Sequence, residues 1–153
     1  MKFVFQGTSY VFSDACLEML ASHRQRSVLS RETGGQLFVR FEPNRVLIDR
    51  ATLTKGFTKR SRFSFWPDRE AERADIKVLF NEGLHFIGDW HTHPEPRPTP
   101  SRPDTTKMLE VFQQSLHELQ VMLLVIVGQD EFPEGLYVAA VSTQGVAPLT
   151  RVP

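Results

Sequence analysis

The chain has 153 residues, 41% apolar and 24% charged, proportions that fit one soluble globular domain built on a single core. Its 18 Lys and Arg balance 18 Asp and Glu, so no net field draws it to nucleic acid or to an anionic membrane. The lone cysteine, Cys16, excludes an internal disulfide and fits a reducing, cytoplasmic setting, while neither the opening MKFVFQG nor the apolar run from Val121 to Val127 is long enough for a signal peptide or a membrane span.

In chain order, Phe3 to Phe5 and Tyr10 to Phe12 predict short strands around a Gly7-Thr8-Ser9 turn. Ser13 as N-cap and Asp14 in the first turn predict a helix to about Arg26, with Cys16 or Leu17, Leu20 and Ala21 facing inward. Gln36 to Phe41 and Val46 to Leu53 read as a hairpin closed by Glu42-Pro43-Asn44. From Thr54 to Pro67 the pattern lapses, and Lys55, Lys59, Arg60 and Arg62 interleave with Phe57, Phe63, Phe65 and Trp66. Such interleaving suits a nucleic-acid strand or a protein tail. In a neutral chain, a loop whose aromatics fold back onto the core is favoured over nucleic acid, and a protein-facing loop stays open.

Asp68 is then placed to cap a second helix that stops at Gly83, with Ala71, Ala74 or Asp75, Val78 and Leu79 as its apolar side. A strand from Leu84 to His91 follows. A third helix is expected from Ser101 to about Leu119, burying Met108, Val111 or Phe112, Leu116 and Leu119. Val121 to Val127 reads as a buried central strand. Leu136 to Ser142 forms the next strand, and Val146 to Val152 a weak strand or tail. This alternation predicts an α/β domain, a mixed sheet flanked by helices.

The stretch from Gly88 to Asp104, GDWHTHPEPRPTPSRPD, concentrates the chemistry. His91 and His93 lie two apart at a strand end, so their imidazoles point to one side. Pro94, Pro96, Pro98 and Pro100 forbid a helix before Ser101 and Asp104. Two histidines and one carboxylate make a three-ligand set that leaves a fourth zinc position for water, the arrangement of hydrolytic zinc sites. A candidate base is Glu32, immediately before Thr33-Gly34-Gly35, where glycine permits close backbone approach. His23, His85 and His117 lack ligand spacing and are assigned structural roles, the last on the exposed side of the third helix. Cys16 reads as a small buried hydrophobe. Asp89 reads equally as a partner orienting an imidazole or as a surface carboxylate.

His91-Thr92-His93-Pro94, six residues, then Ser101-x-x-Asp104, with Glu32-Thr33-Gly34-Gly35 upstream, resembles the JAB/MPN (JAMM) metallopeptidases at every fixed position of their motif. The resemblance implies one JAB/MPN domain over residues 1–153, a curved mixed sheet of the cytidine-deaminase-like fold. It also implies Zn2+ held by His91, His93 and Asp104, with Glu32 as general acid/base and Ser101 assisting at the oxyanion. Active members cleave after the C-terminal tail of ubiquitin or a ubiquitin-like protein. The small size, the GDWHTHP strand, the Pro loop leading into Ser101, and the stretch from Ser61 to Asp68 look like the short prokaryotic JAB proteins of antiviral (CBASS) operons. Those sit beside E1- and E2-like enzymes and remove conjugates of a cGAS-like nucleotidyltransferase. Trp90, the loop from Phe57 to Trp66 and the Pro loop are the candidate walls of a substrate groove. The alternatives are a RadC-like JAB protein linked to DNA repair and a non-catalytic MPN scaffold.

Overall fold

The computed structural model describes residues 1–27, 29–54, 59–60, 65–66 and 69–153. The expectations for Thr54 to Pro67 and for the Asp68 cap therefore fall almost wholly outside the described residues.

A nine-stranded mixed sheet carries the molecule. The first ribbon, β1 (Lys2–Phe5) and β2 (Thr8–Phe12), turns at Gln6-Gly7, so Thr8 and Ser9 belong to the strand and not to the turn. Helix α1 (Asp14–Ser22) starts as expected, with the Ser13 side chain accepting from the Cys16 N–H. It ends four residues before Arg26, where His23 forms the C-cap and its Nδ1 lies 2.9 Å from the Met19 carbonyl. The hairpin of β3 (Gly34–Glu42) and β4 (Arg45–Ala51) follows. A two-residue ribbon, β5 (Lys59–Arg60) with β6 (Phe65–Trp66), comes next.

Helix α2 (Arg69–Asn81) stops at Gly83, whose φ of +78° is the left-handed conformation that glycine adopts without penalty. The Leu84 N–H reaches the Leu79 carbonyl and the Gly83 N–H reaches that of Phe80, a Schellman closure with Leu84 packed near Leu79. The apolar side expected of α2 is only partly right. Leu79 is buried, whereas Val78 is exposed and the buried residue in the first turn is Glu72. Strand β7 (His85–Thr92) then enters the sheet centre, antiparallel to β3 and parallel to β8 (Met122–Val127). Between them, α3 (Arg102–Gln114) is shorter than its periodicity suggested. It ends at Ser115, and Leu116 is fully exposed. His117 lies past the helix, half-buried, with Nε2 2.7 Å from the Phe112 carbonyl and its ring against Phe112, so it caps the end instead of standing on an exposed face. Strands β9 (Leu136–Ser142), β10 (Gly145–Pro148) and β11 (Thr150–Val152) complete the order β10-β9-β8-β7-β3-β4-β2-β1-β11.

The sheet is covered on both faces. Leu123, Val125 and Val127 of β8 join Cys16 and Leu20 of α1 in one apolar cluster. Met122, Leu124 and Ile126 join Met108 and Phe112 of α3 in the other. Burial on both faces is why β8 reads as an unbroken apolar run. Each fully buried side chain of this size contributes roughly 1.5–3 kcal/mol by leaving water.

A bulge in β7 sets the direction of the site. Register with β3 runs Leu37↔Gly88 and then Phe38↔Phe86, so Ile87 is an extra residue. Ile87 and Trp90 accordingly share the α1-side core, while Phe86 packs against Met108 and Phe112 on the other side. Asp89 and His91 alternate with Trp90 and so face α2 and α3.

Candidate metal centre

His91 and His93 straddle the end of β7, and α3 brings Asp104 to them from across the Pro loop. His91 Nε2 lies 3.2 Å from Asp104 Oδ1, His93 Nε2 lies 3.0 Å from Asp104 Oδ2, and the two Nε2 atoms are 3.1 Å apart. Glu32 joins them, with a carboxylate oxygen and one nitrogen of each imidazole all within 4.8 Å of one another. Glu32, His91, His93 and Asp104 are thus the residues that could hold a metal. Two donors about 2.0–2.1 Å from one tetrahedral zinc ion stand roughly 3.3 Å apart, and each imidazole nitrogen lies near that distance from the other and from one of the two Asp104 oxygens. Two imidazole nitrogens aimed at each other across 3.1 Å also call for a proton or a cation between them.

Local chemistry explains the placement of Asp104. Ser101 is the N-cap of α3, its Oγ accepting from the Asp104 N–H at 3.2 Å, while Asp104 Oδ2 accepts from the Ser101 N–H at 2.8 Å. This reciprocal capping box, with Asp in the position usually held by Glu or Gln, orients the carboxylate toward the histidines. The Pro loop is strapped to the end of β8, with the Gln129 N–H donating to the Glu95 carbonyl and the Asp130 N–H to that of Pro96. His93 is tied to the same end through its N–H to the Val127 carbonyl at 2.9 Å.

Glu32 is positioned by distant parts of the chain. Thr33, its neighbour, donates its N–H to Thr92 Oγ1 at 3.0 Å and accepts from the Thr92 N–H at 2.8 Å. The Thr92 hydroxyl in turn donates to Gln25 Oε1 at 2.9 Å, and Gln25 is fully buried. The Gly34-Gly35 pair serves sheet packing more than ligand approach. A Cβ on Gly35 would stand 1.8 Å from the Thr52 carbonyl oxygen, which accepts from Trp90 Nε1 at 2.9 Å.

The electrostatics separate the four groups. Burial pushes the Glu32 carboxyl up to about 7, the charge of His93 opposing and that of Asp104 adding to the shift. Lys107, one turn along α3 from Asp104, also favours the ionised form of Glu32. Burial would raise Asp104 as well, but its hydrogen bonds to His91 and His93 and from the Ser101 N–H hold it well below the usual carboxylate range. Burial lowers His91. At His93 burial is outweighed by the hydrogen bond to Asp104 and by the charges of Asp104, Glu32 and Glu95, and the net direction is upward.

The structure therefore brings Glu32, His91, His93, Ser101 and Asp104 into one place, and it corrects other expectations. Trp90 is buried in the core and cannot wall a groove. Asp89 is neither on the surface nor on an imidazole; it is buried with Arg69 Nη1 at 3.7 Å, beside the Arg69–Glu72 pair at 2.6 Å. Cys16 is buried, and desolvation pushes its thiol up to about 12, so it is a core residue. His23 caps α1 and contacts the Trp90 ring edge-on, and His85 sits between Phe41 and Phe80. Thr92 and Gln25 were missed. Alternation placed Thr92 opposite the histidines, but nothing local pointed to a partner 67 residues away.

Fold and site together define an α/β domain that presents a two-histidine, one-carboxylate donor set with a second carboxylate facing it. Residues 13–139 match the family described as prokaryotic homologs of the JAB domain, and the chain belongs to that family. Two curated relatives are each named CD-NTase/cGAS isopeptidase. The one from Enterobacter hormaechei subsp. hoffmannii is 28% identical over 97% of this chain and 84% of its own length. The one from Pseudomonas aeruginosa is 31% identical over 88% and 84%. The solution structure of protein DSY2949 from Desulfitobacterium hafniense shares the fold, with a TM-score of 0.65 at 19% identity, covering 91% of this chain and 88% of that one. No helix among the described residues is long and apolar enough to cross a membrane.

Proposed function

We propose that the chain is a zinc-dependent isopeptidase whose substrate is a protein joined through its C-terminus to an amine, in the manner of a ubiquitin-like conjugate. The observation that carries this reading is the convergence of His91, His93 and Asp104 on one point with Glu32 facing them. The names of the two relatives support the substrate class, and by analogy with them the conjugated protein is a cGAS-like nucleotidyltransferase.

His91, His93 and Asp104 would hold the ion. When bound, zinc supplies a Lewis acid that acidifies water and polarises a carbonyl. Glu32, desolvated and beside the two imidazoles, takes the proton of the attacking water and returns it to the leaving lysine or α-amine. Ser101 Oγ already accepts from the Asp104 N–H, so its own proton is available to the oxyanion. Asp104 stays ionised at any working pH because both imidazoles and the Ser101 N–H stabilise its charge.

The test is cleavage. Purified protein is incubated with fusions in which a candidate ubiquitin-like protein or nucleotidyltransferase carries a C-terminal extension, with zinc and with chelator. Zinc-dependent release of the extension is expected. Intact fusions under zinc-replete conditions, across both substrate kinds, count against the proposal.

A further inference from the structure

The residue between the two histidines has a role that neither the ligand set nor the proton transfer uses. Thr92 points away from the imidazoles and is fully buried. Its hydroxyl donates and accepts at once, accepting from the Thr33 N–H at 3.0 Å and donating to Gln25 Oε1 at 2.9 Å. Gln25 is anchored at both ends. Its Nε2 donates to the Ser30 carbonyl at 3.1 Å, and its own carbonyl accepts from Gln129 Nε2 at 2.9 Å. Two segments distant in sequence therefore meet at one hydroxyl, the connection from α1 to β3 and the end of β7, and the chain just past β8 joins them through the Gln25 main-chain carbonyl.

Glu32 sits on the first of these segments, immediately before Thr33. The connection from α1 to β3 is not a regular element and has no ladder to fix its reach. The neighbour of Glu32, Thr33, is held by two hydrogen bonds to Thr92, with Gln25 and Ser30 bracing the segment behind it. We infer that Thr92 and Gln25 form a positioning clamp for Glu32, so that the hydroxyl between the histidines governs turnover without touching substrate or metal. The clamp rests on the assignment of Glu32 as the proton-transferring group. A threonine suits it because the task needs a donor and an acceptor on one small, stiff side chain.

Valine has the shape of threonine without the hydroxyl, and in its place the Thr33 N–H and Gln25 Oε1 would both lose a buried partner. A displacement of Glu32 by about 1 Å is enough to lower kcat about 100-fold, and KM should change less than about threefold because the clamp makes no substrate contact. Thr92→Val should show that split while still binding one zinc per chain. Thr92→Ser keeps both hydrogen-bonding functions and should restore kcat to near wild type. Cobalt(II) placed in the site gives a readout that needs no turnover. Glu32→Gln should alter its visible absorption, Thr92→Val should alter it in the same direction, and Thr92→Ser should leave it unchanged.

Folded Thr92→Val protein with wild-type kcat and a wild-type cobalt spectrum overturns the clamp. So does a Glu32→Gln spectrum indistinguishable from wild type, since Glu32 would then not be held at the site. If Thr92→Val does not fold, Gln25→Met, which removes the acceptor and leaves the Thr92–Thr33 contact, is put through the same measurements and should shift them in the same direction; wild-type values from it overturn the clamp. A wild-type chain that cleaves no conjugate removes the isopeptidase reading, while the cobalt spectra still decide the clamp.

Discussion

Two regions bring a carboxylate to the same pair of imidazoles, and they treat it in opposite ways. At the start of α3, Asp104 is set by its own neighbours: a serine three residues earlier caps the helix, and the helix start points the carboxylate at His91 and His93. Hydrogen bonds then stabilise the charged form. In the connection before β3, Glu32 is set by groups from elsewhere in the chain and is buried with its proton affinity raised to about 7. An anion that is to bind a cation is best placed where donors surround it, and a group that is to exchange a proton near neutral pH where burial brings its pKa close to that value. The proposed division of labour between Asp104 and Glu32 rests on these surroundings, since the two side chains differ by only one methylene.

Changing each carboxylate to its amide should separate the regions most sharply. Asp104→Asn removes a ligand charge, so zinc affinity should fall by more than about 100-fold, beyond what loss of an outer partner alone costs, and turnover should vanish with it. Zinc titration against a competing chelator reads this directly. Glu32→Gln should leave zinc stoichiometry intact and lower kcat by about 100- to 10,000-fold. Loss of zinc in Glu32→Gln, or its retention in Asp104→Asn, breaks the proposed division.

Ser101→Ala tests whether the helix start does more than cap. The cap alone is worth about 1 kcal/mol of stability, whereas an oxyanion donor is worth about 100-fold or more in kcat. A thermal melt and a kcat measurement on the same variant distinguish the two, and a stability loss with unchanged kcat assigns Ser101 to capping only.

The smallest expected effect concerns metal-free protein. Because the Glu32 carboxyl holds its proton more tightly folded than unfolded, the folded state binds more protons between about pH 4.5 and 7. Its contribution therefore disfavours folding above about pH 7 and disappears as the pH falls through that window. In chelator-treated protein, Glu32→Gln should be more stable than wild type by roughly 1–3 kcal/mol at pH 8, with the gap closing toward pH 4.5. Denaturant melts across that range check it. A gap that widens on acidification shows that burial is not what raises Glu32.

Much of this protein was legible before folding. Ser13 and Gly83 marked helix ends because capping is a property of one or two residues. The run from Val121 to Val127 announced a buried central strand, which begins one residue later, at Met122. His91, His93, Ser101 and Asp104 were readable because strand alternation, proline and a capping box all act within a few residues. Where helices ended was less legible. Periodicity carried α3 on to Leu119, but the chain leaves the helix at Ser115 and lets His117 take the Phe112 carbonyl. Likewise Val78 fits an inward stripe, yet α2 turns Glu72 and Leu79 to the sheet.

The sequence by itself thus determined which side chains are candidate donors, most of the order of elements and the local devices that hold Asp104, since each depends on interactions a few residues long. The tertiary structure alone decided how Glu32 reaches that set, because its position hangs on Thr92 and Gln25 across 59 to 67 residues of chain. It alone also decided which way β7 faces, through the bulge at Ile87. Hydrogen bonds between distant segments leave no periodicity to read, and a bulge changes the face of a strand without changing its composition.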